Sequence, residues 1–274
     1  MSGTIALTVA KLSGSQDMSI HTDSAVMGVR GTEFTVTSPP TGDILITCRT
    51  GDVVCTDENG NEFHATPGAA VERKSGERLA VLQVGGTDVE TFRKNWEDQR
   101  LAFLKARAFD VIQREAQRYD ALSDEFDAEF AALQEKKEIL AKWSKEESKG
   151  VVGSDTDVTR EKGEIADLLA DLRETQFLLE RAHYRLVALK DLHGQGLGNG
   201  DIRNGLSTKE FFERFEKDRP GLEIRLANVR YTTKLFTRRN KGNDPTSVSD
   251  LRHFHERRLV HLKRLQQHRK PARK

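Results

Sequence analysis

The sequence predicts an α+β, multidomain protein: a small antiparallel β sandwich or roll, then a long antiparallel helical hairpin, then a basic helical carboxy-terminal region. Three observations carry this. Residues 3–85 alternate apolar and polar in short runs punctuated by turn residues. Residues 88–148 contain neither Pro nor Gly and repeat apolar residues at sevens. From Arg225 to Lys274 there are 15 Lys and Arg against three acids, a net of +12, so the preceding 224 residues carry −11 of a total of +1. The corresponding boundaries are 1–86, 87–194 and 195–274.

In the first segment, "TIALTV" and "MSI" read as short strands, and "TEFTVT" places Phe34 and Val36 on one face. "DILITCRTGDVVCT" reads as two strands joined in a hairpin about Thr50-Gly51-Asp52. Asn59-Gly60 is a turn, Phe63 starts a strand, and Pro67-Gly68 breaks it. On this register Cys48 and Cys55 point inward with Ile46 and Val53. They read foremost as buried small hydrophobes, with a disulfide across the hairpin or a metal site with His64 as alternatives.

"SAVMGVRGTEFTV", residues 24–36, is the most distinctive stretch. Gly28 and Gly31 suit positive φ or close backbone approach. Arg30 between them either staples turn carbonyls, pairs with Glu33 or Asp23, or docks a partner. Arg30 to Phe34, the hairpin carrying Ile46, Cys48, Gly51, Val53 and Cys55, and the turn at Pro67-Gly68 together resemble the FecR domain, a family named for a ferric-dicitrate regulator. The resemblance covers about a third of the chain, and Asp23 stands where the family often has Pro. Gly28, Gly31, Thr32, Phe34, Gly51 and Gly68 are the motif positions. What it implies is a non-catalytic β domain outside the cytoplasmic membrane, in some regulators relaying a signal between an outer-membrane transporter and a sigma factor, and in other envelope proteins serving other roles.

Helical signals follow. Thr87 or Asp88 caps a helix. Ile112, Tyr119, Phe126, Leu133 and Leu140 form one seam, Leu122 and Trp143 fit the second position, and Glu129 and Lys136 do not. One helix through residue 148 would span roughly 90 Å. After a loop at 148–157, a second helix at about 158–193 carries Ile165, Leu172, Leu179 and Leu186, with Leu168, Ala182 and Leu189 beside them; a loop this short makes the two antiparallel. "HGQGLGNGD" follows a helix and lacks a P-loop lysine, so it reads as a flexible terminator. Ser207 and Glu210 have capping-box spacing. Phe211, Phe212 and Phe215 form an apolar face, Pro220-Gly221 ends that helix, residues 222–237 read as a further helix, and 246–268 as a last one.

Composition narrows function. Apolar residues make up 36% and charged residues 32%. No run approaches the roughly 18 apolar residues of a membrane span, and the amino terminus lacks a secretory pattern; residues 1–274 could also be part of a longer exported chain. The compartment is open, periplasmic by the resemblance. No nucleophile–base set, metal cluster or cofactor loop stands out, so the expectation is a non-enzyme without cofactor or metal: an interaction or scaffold protein with a protein partner, able to self-associate through its helices. Partner-binding candidates are Arg30, Glu33, Arg257, Arg258, Lys263 and Arg264. The basic region 225–274 packs on the acidic helix, meets an anionic surface, or binds nucleic acid, the last being the alternative function.

Overall fold

The computed structural model describes residues 3–8, 18–21, 26–29, 32–57, 59–85 and 88–239. Nine strands come first: β1 (Gly3–Thr8), β2 (Met18–His21), β3 (Val26–Val29), β4 (Glu33–Ser38), β5 (Ile44–Thr50), β6 (Val53–Thr56), β7 (Glu62–Ala65), β8 (Ala69–Arg73) and β9 (Ala80–Gln83). They form two antiparallel sheets, ordered β1-β4-β5-β8-β9 and β2-β3-β6-β7. Then come α1 (Val89–Ala106), α2 (Ala108–Gln134), α3 (Lys137–Ser148), α4 (Asp155–Gly194), the strands β10 (Asp201–Arg203) and β11 (Leu206–Ser207), and α5 (Thr208–Arg238). The fold is α+β, with antiparallel sheets followed by long helices.

Alternation builds the sandwich. Phe34, Ile44, Ile46, Cys48 and Val71 from the five-stranded sheet meet Val53, Cys55 and Ala65 from the other in one core. The opposite face of the larger sheet offers Leu45 and Ala70, which pack with Val84 and Trp96 of α1. So β5 is buried on both faces from Ile44 to Cys48. This explains one correction: Thr50-Gly51-Asp52 does not close a hairpin. Both edges of β5 are already used by β4 and β8, and Gly51, at φ +88°, turns the chain into β6 of the other sheet. Pro67-Gly68 likewise carries β7 across to β8, with Thr66 and Ala69 exchanging backbone hydrogen bonds at 2.9 Å. Asn59-Gly60 does close a hairpin, β6–β7, and Asp57 accepts the amides of Asn59 and Asn61 at 2.8 and 2.9 Å. Cys48 and Cys55 are buried free thiols, not a disulfide. Burial pushes the Cys55 thiol up to about 12, with Asp52 adding to it.

The single helix expected over 88–148 is three helices. Asp88 caps α1, accepting from the Thr91 amide at 3.1 Å. The frame bends at Arg107 (φ −123°, ψ 27°) and again at Lys136, whose amide bonds to Leu133 three residues back rather than four. Buried apolar residues continue across both bends, Leu104 and Ile112 about the first and Leu133 and Trp143 about the second, so periodicity could not reveal them. Pro220 does not stop its helix either: α5 continues to Arg238. A mid-helix proline removes one backbone bond at a cost of roughly 3 kcal/mol, and burial of Leu222, Leu226, Val229 and Leu235 beyond it more than offsets this. The capping box is present, Ser207 and Glu210 bonding each other's amides at 3.2 and 2.9 Å. The expected helix at 246–268 lies outside the described residues.

The described residues group into two compact units, one of residues up to Tyr119 with 180–213, the other of 120–179 with Arg214 onward. The first holds the sandwich, α1 and β10–β11. Its β4–β5 turn is tied down by buried polar groups: Asp43 accepts from the Thr41 hydroxyl and the Ser75 amide, both at 2.7 Å, and Arg114 donates to the Thr41 carbonyl at 2.7 Å. Glycines 198 and 200 press against Ala108, Ile112 and Phe109, so "HGQGLGNGD" is a packed turn, not a loose terminator. In the second unit, α3 and α4 run antiparallel, pairing Lys136 with Glu164 and Lys142 with Glu161. Trp143 is fully buried; its indole donates to Glu161 at 2.8 Å, and Arg239 lies 4.7 Å over its ring.

Candidate partner-binding face of the sandwich

Strand alternation sends Phe34, Ile46 and Val71 into the sandwich core and Thr35, Leu45, Thr47, Ala70 and Glu72 to the other face. One helix, α1, lies across that face and anchors through Val89, Phe92 and Trp96. It leaves a cleft on either side.

The first cleft, about 260 Å³, is lined by Leu7, Phe34, Thr35, Thr47 and Val89, with charged residues at its mouth. Arg49 bridges Glu33 at 3.2 Å and Glu90 at 3.5 Å, joining β4, β5 and α1. All three side chains are about half exposed, so each pair contributes well under 1 kcal/mol. These charges are therefore available to a partner at little cost in stability.

The second cleft, about 360 Å³, lies between α1 and the β8–β9 edge. Leu82, Phe92 and Trp96 make its apolar wall, and Glu72, Lys74 and Arg100 its ionisable one. The buried Trp96 indole donates to Glu72 at 2.9 Å, and Lys74 approaches the same carboxylate at 3.4 Å. Glu72 is therefore already committed on two sides.

The sequence-derived positions fall as follows. Glu33 stands at the first cleft, paired with Arg49 at 3.2 Å. Arg30, Gly31, Arg257, Arg258, Lys263 and Arg264 lie outside the described residues. Gly28 sits within β3, paired with Ser19 and Val54. Thr32 and Phe34 are buried. Gly51 and Gly68 occupy two of the connections that cross between the sheets, both at positive φ. Sequence reasoning missed Arg49, Lys74, Trp96 and Arg100. Arg49 was findable, since it continues the Leu45–Thr47 face of an alternating strand. Trp96 and Arg100 share a helical face, but nothing local says that a sheet lies beneath it.

His64 Nδ1 lies 2.8 Å from Asp52, both side chains about half exposed. Among the described residues no group of three His, Cys, Asp or Glu is placed to hold a metal, and no helix is long and apolar enough to cross a membrane. Both clefts combine apolar walls with charged residues at the rim. No family model matches the chain, and neither the curated proteins nor the solved structures contain a match.

Proposed function

We propose that this chain is a non-catalytic interaction or scaffold protein whose FecR-like β domain binds a protein partner, in envelope-associated signalling or assembly. The observation that carries this is the second face of the five-stranded sheet: a single helix covers it only in part, leaving two clefts with charged rims. The Arg30–Phe34 pattern supplies the FecR-like part of the reading, and the extracytoplasmic setting follows from that pattern alone.

The nucleic-acid alternative draws less support from the described part of the basic region. Arg225 pairs with Asp127 at 3.0 Å, Arg239 with Glu146 at 3.0 Å, and Arg238 with Glu147. These three cations are neutralised within the chain, so phosphate contacts would fall to the other cations of the region, exposed Lys234 among them.

The test is site-specific photo-crosslinking in cells that make the full chain. A crosslinking residue at Glu33 or Arg49 is expected to trap a discrete protein adduct that the same residue at Asp167, on α4, does not. Adducts from neither cleft position, or equally from all three positions, would rule the reading out.

A further inference from the structure

Arg100 on α1 is a largely buried cation held only by a long ion pair. Its side chain is only 16% exposed, yet its nearest acid, Asp43, is 3.7 Å away. Asp43 also accepts from the Thr41 hydroxyl and the Ser75 amide, both at 2.7 Å, so its long ion pair with Arg100 is shared with two shorter bonds. The Arg100 Nε is buried with no acceptor, and the Phe103 ring, 5.5 Å from the guanidinium carbon, offers only a π face. A guanidinium carries five donors, and a buried one without acceptors is costly. This one lines the 360 Å³ cleft. Among the residues that line it, Lys74 and Arg100 stand against Glu72 alone, and Glu72 already accepts from Trp96, so the lining is net positive.

The same cleft borders an open sheet edge. Among the described residues β9 ends its sheet, so one side of Ala80–Gln83 has no partner strand. The strand carries none of the Lys or Pro residues that usually blunt an edge, and Val81 is 44% exposed. Leu82, its neighbour, turns toward the cleft.

We infer that β9 accepts an extended segment of a partner protein as an added strand, and that this segment sets an acidic side chain into the cleft against Arg100 and Lys74. Strand addition supplies affinity through main-chain bonds, and the pocket on alternate residues supplies specificity. A carboxylate meets a guanidinium with two parallel hydrogen bonds, which is what Arg100 lacks. The inference rests on the interaction-protein reading and names the chemistry of its partner.

The test uses the full chain and a displayed library of random seven-residue segments. Selected peptides are expected to share one acidic position flanked by β-branched residues. Replacing that acid by its amide, or introducing Arg100→Gln, is expected to weaken binding at least tenfold. Lys74→Gln, at a side chain 39% exposed and without setting a second carboxylate against Glu72, should weaken binding in the same direction. Bound peptide should slow amide hydrogen exchange at residues 80–83. Selection without an acidic preference, parent-like binding by both variants, or protection away from 80–83 overturns the proposal. So does displacement of the peptide by glutarate without protection at 80–83, which would mark a small-carboxylate site. Self-association that buries 80–83 without peptide would mark a second copy as the occupant. Failure here with crosslinks from Arg49 intact removes strand addition alone; loss of the crosslinks removes the scaffold reading itself.

Discussion

Trp96 on α1 and Glu72 on β8 share a hydrogen bond of 2.9 Å, both residues less than a tenth exposed. The bond fastens the only helix on the outer face of the larger sheet among the described residues. A buried carboxylate that loses its donor keeps its desolvation cost. Trp96→Phe is therefore expected to destabilise the chain by about 2–3 kcal/mol. Glu72→Gln, which retains an acceptor, should cost about 1 kcal/mol. Urea denaturation followed by circular dichroism checks the ranking; equal costs would show that packing, not the bond, holds α1.

Arg239 ends α5 in a site built for a planar cation. It donates to the Trp143 carbonyl at 2.9 Å, to Glu146 at 3.0 Å and to the Leu235 carbonyl at 3.0 Å, and stacks over the Trp143 ring. A lysine ammonium cannot reproduce that fork. Arg239→Lys is expected to cost about 2 kcal/mol, close to Arg239→Met. Melting temperatures of the two variants would settle it: a near-native lysine variant would mean that charge alone matters.

These contacts mark where the sequence stops being legible. Strand alternation placed Phe34, Ile46, Cys48, Val53 and Cys55 inside, because period-two burial is a local property. The Asp88 cap and the Ser207–Glu210 box were readable for the same reason. Sheet membership was not. A glycine turn between two apolar runs looks alike whether the strands pair or cross a sandwich, and only β4 and β8 claiming both edges of β5 decides. Asn204-Gly205 was a readable hairpin signal that went unread; both residues have positive φ, and they join β10 to β11. Of the candidate face, Glu33 was visible as a charge beside a motif. Its partner Arg49, and the pocket formed by Trp96 and Arg100, depend on one helix lying over a sheet.

Glu129 broke the heptad pattern, and its environment shows the consequence. Burial, joined by the nearby Glu125, Asp171 and Glu174, pushes its carboxyl up to about 7, with the Thr175 hydroxyl opposing in part. The ordinary value is 4.5. Between these two values the folded chain holds a proton that the unfolded chain has released, so stability falls as pH rises through that window. Glu129→Gln is expected to stabilise the chain by about 1–2 kcal/mol at pH 8, after allowing for partial solvent screening, with the gain vanishing below about pH 4.5. Denaturation midpoints measured across pH 4–8 test this; a gain independent of pH would point to packing instead of charge.

Gly198 and Gly200 separate two kinds of close approach. A Cβ on Gly198 would stand 2.5 Å from Ile112 Cδ1 and 3.2 Å from the Ala108 carbonyl carbon, at a φ of +71° that side chains rarely adopt. Buried Ile112 cannot retreat and backbone cannot move, so Gly198→Ala is expected to cost about 2–3 kcal/mol. The three atoms nearest a Cβ on Gly200 all belong to the Phe109 ring, the first at 2.2 Å. That ring is half-buried and can swing toward solvent, so Gly200→Ala should cost about 1 kcal/mol. The two are told apart by a double-variant comparison. With Phe109→Ala in place, Gly200→Ala should cost almost nothing, while the cost of Gly198→Ala persists. If instead the Gly198 cost also disappears, the Phe109 ring and not the backbone of α2 sets the fit of this turn.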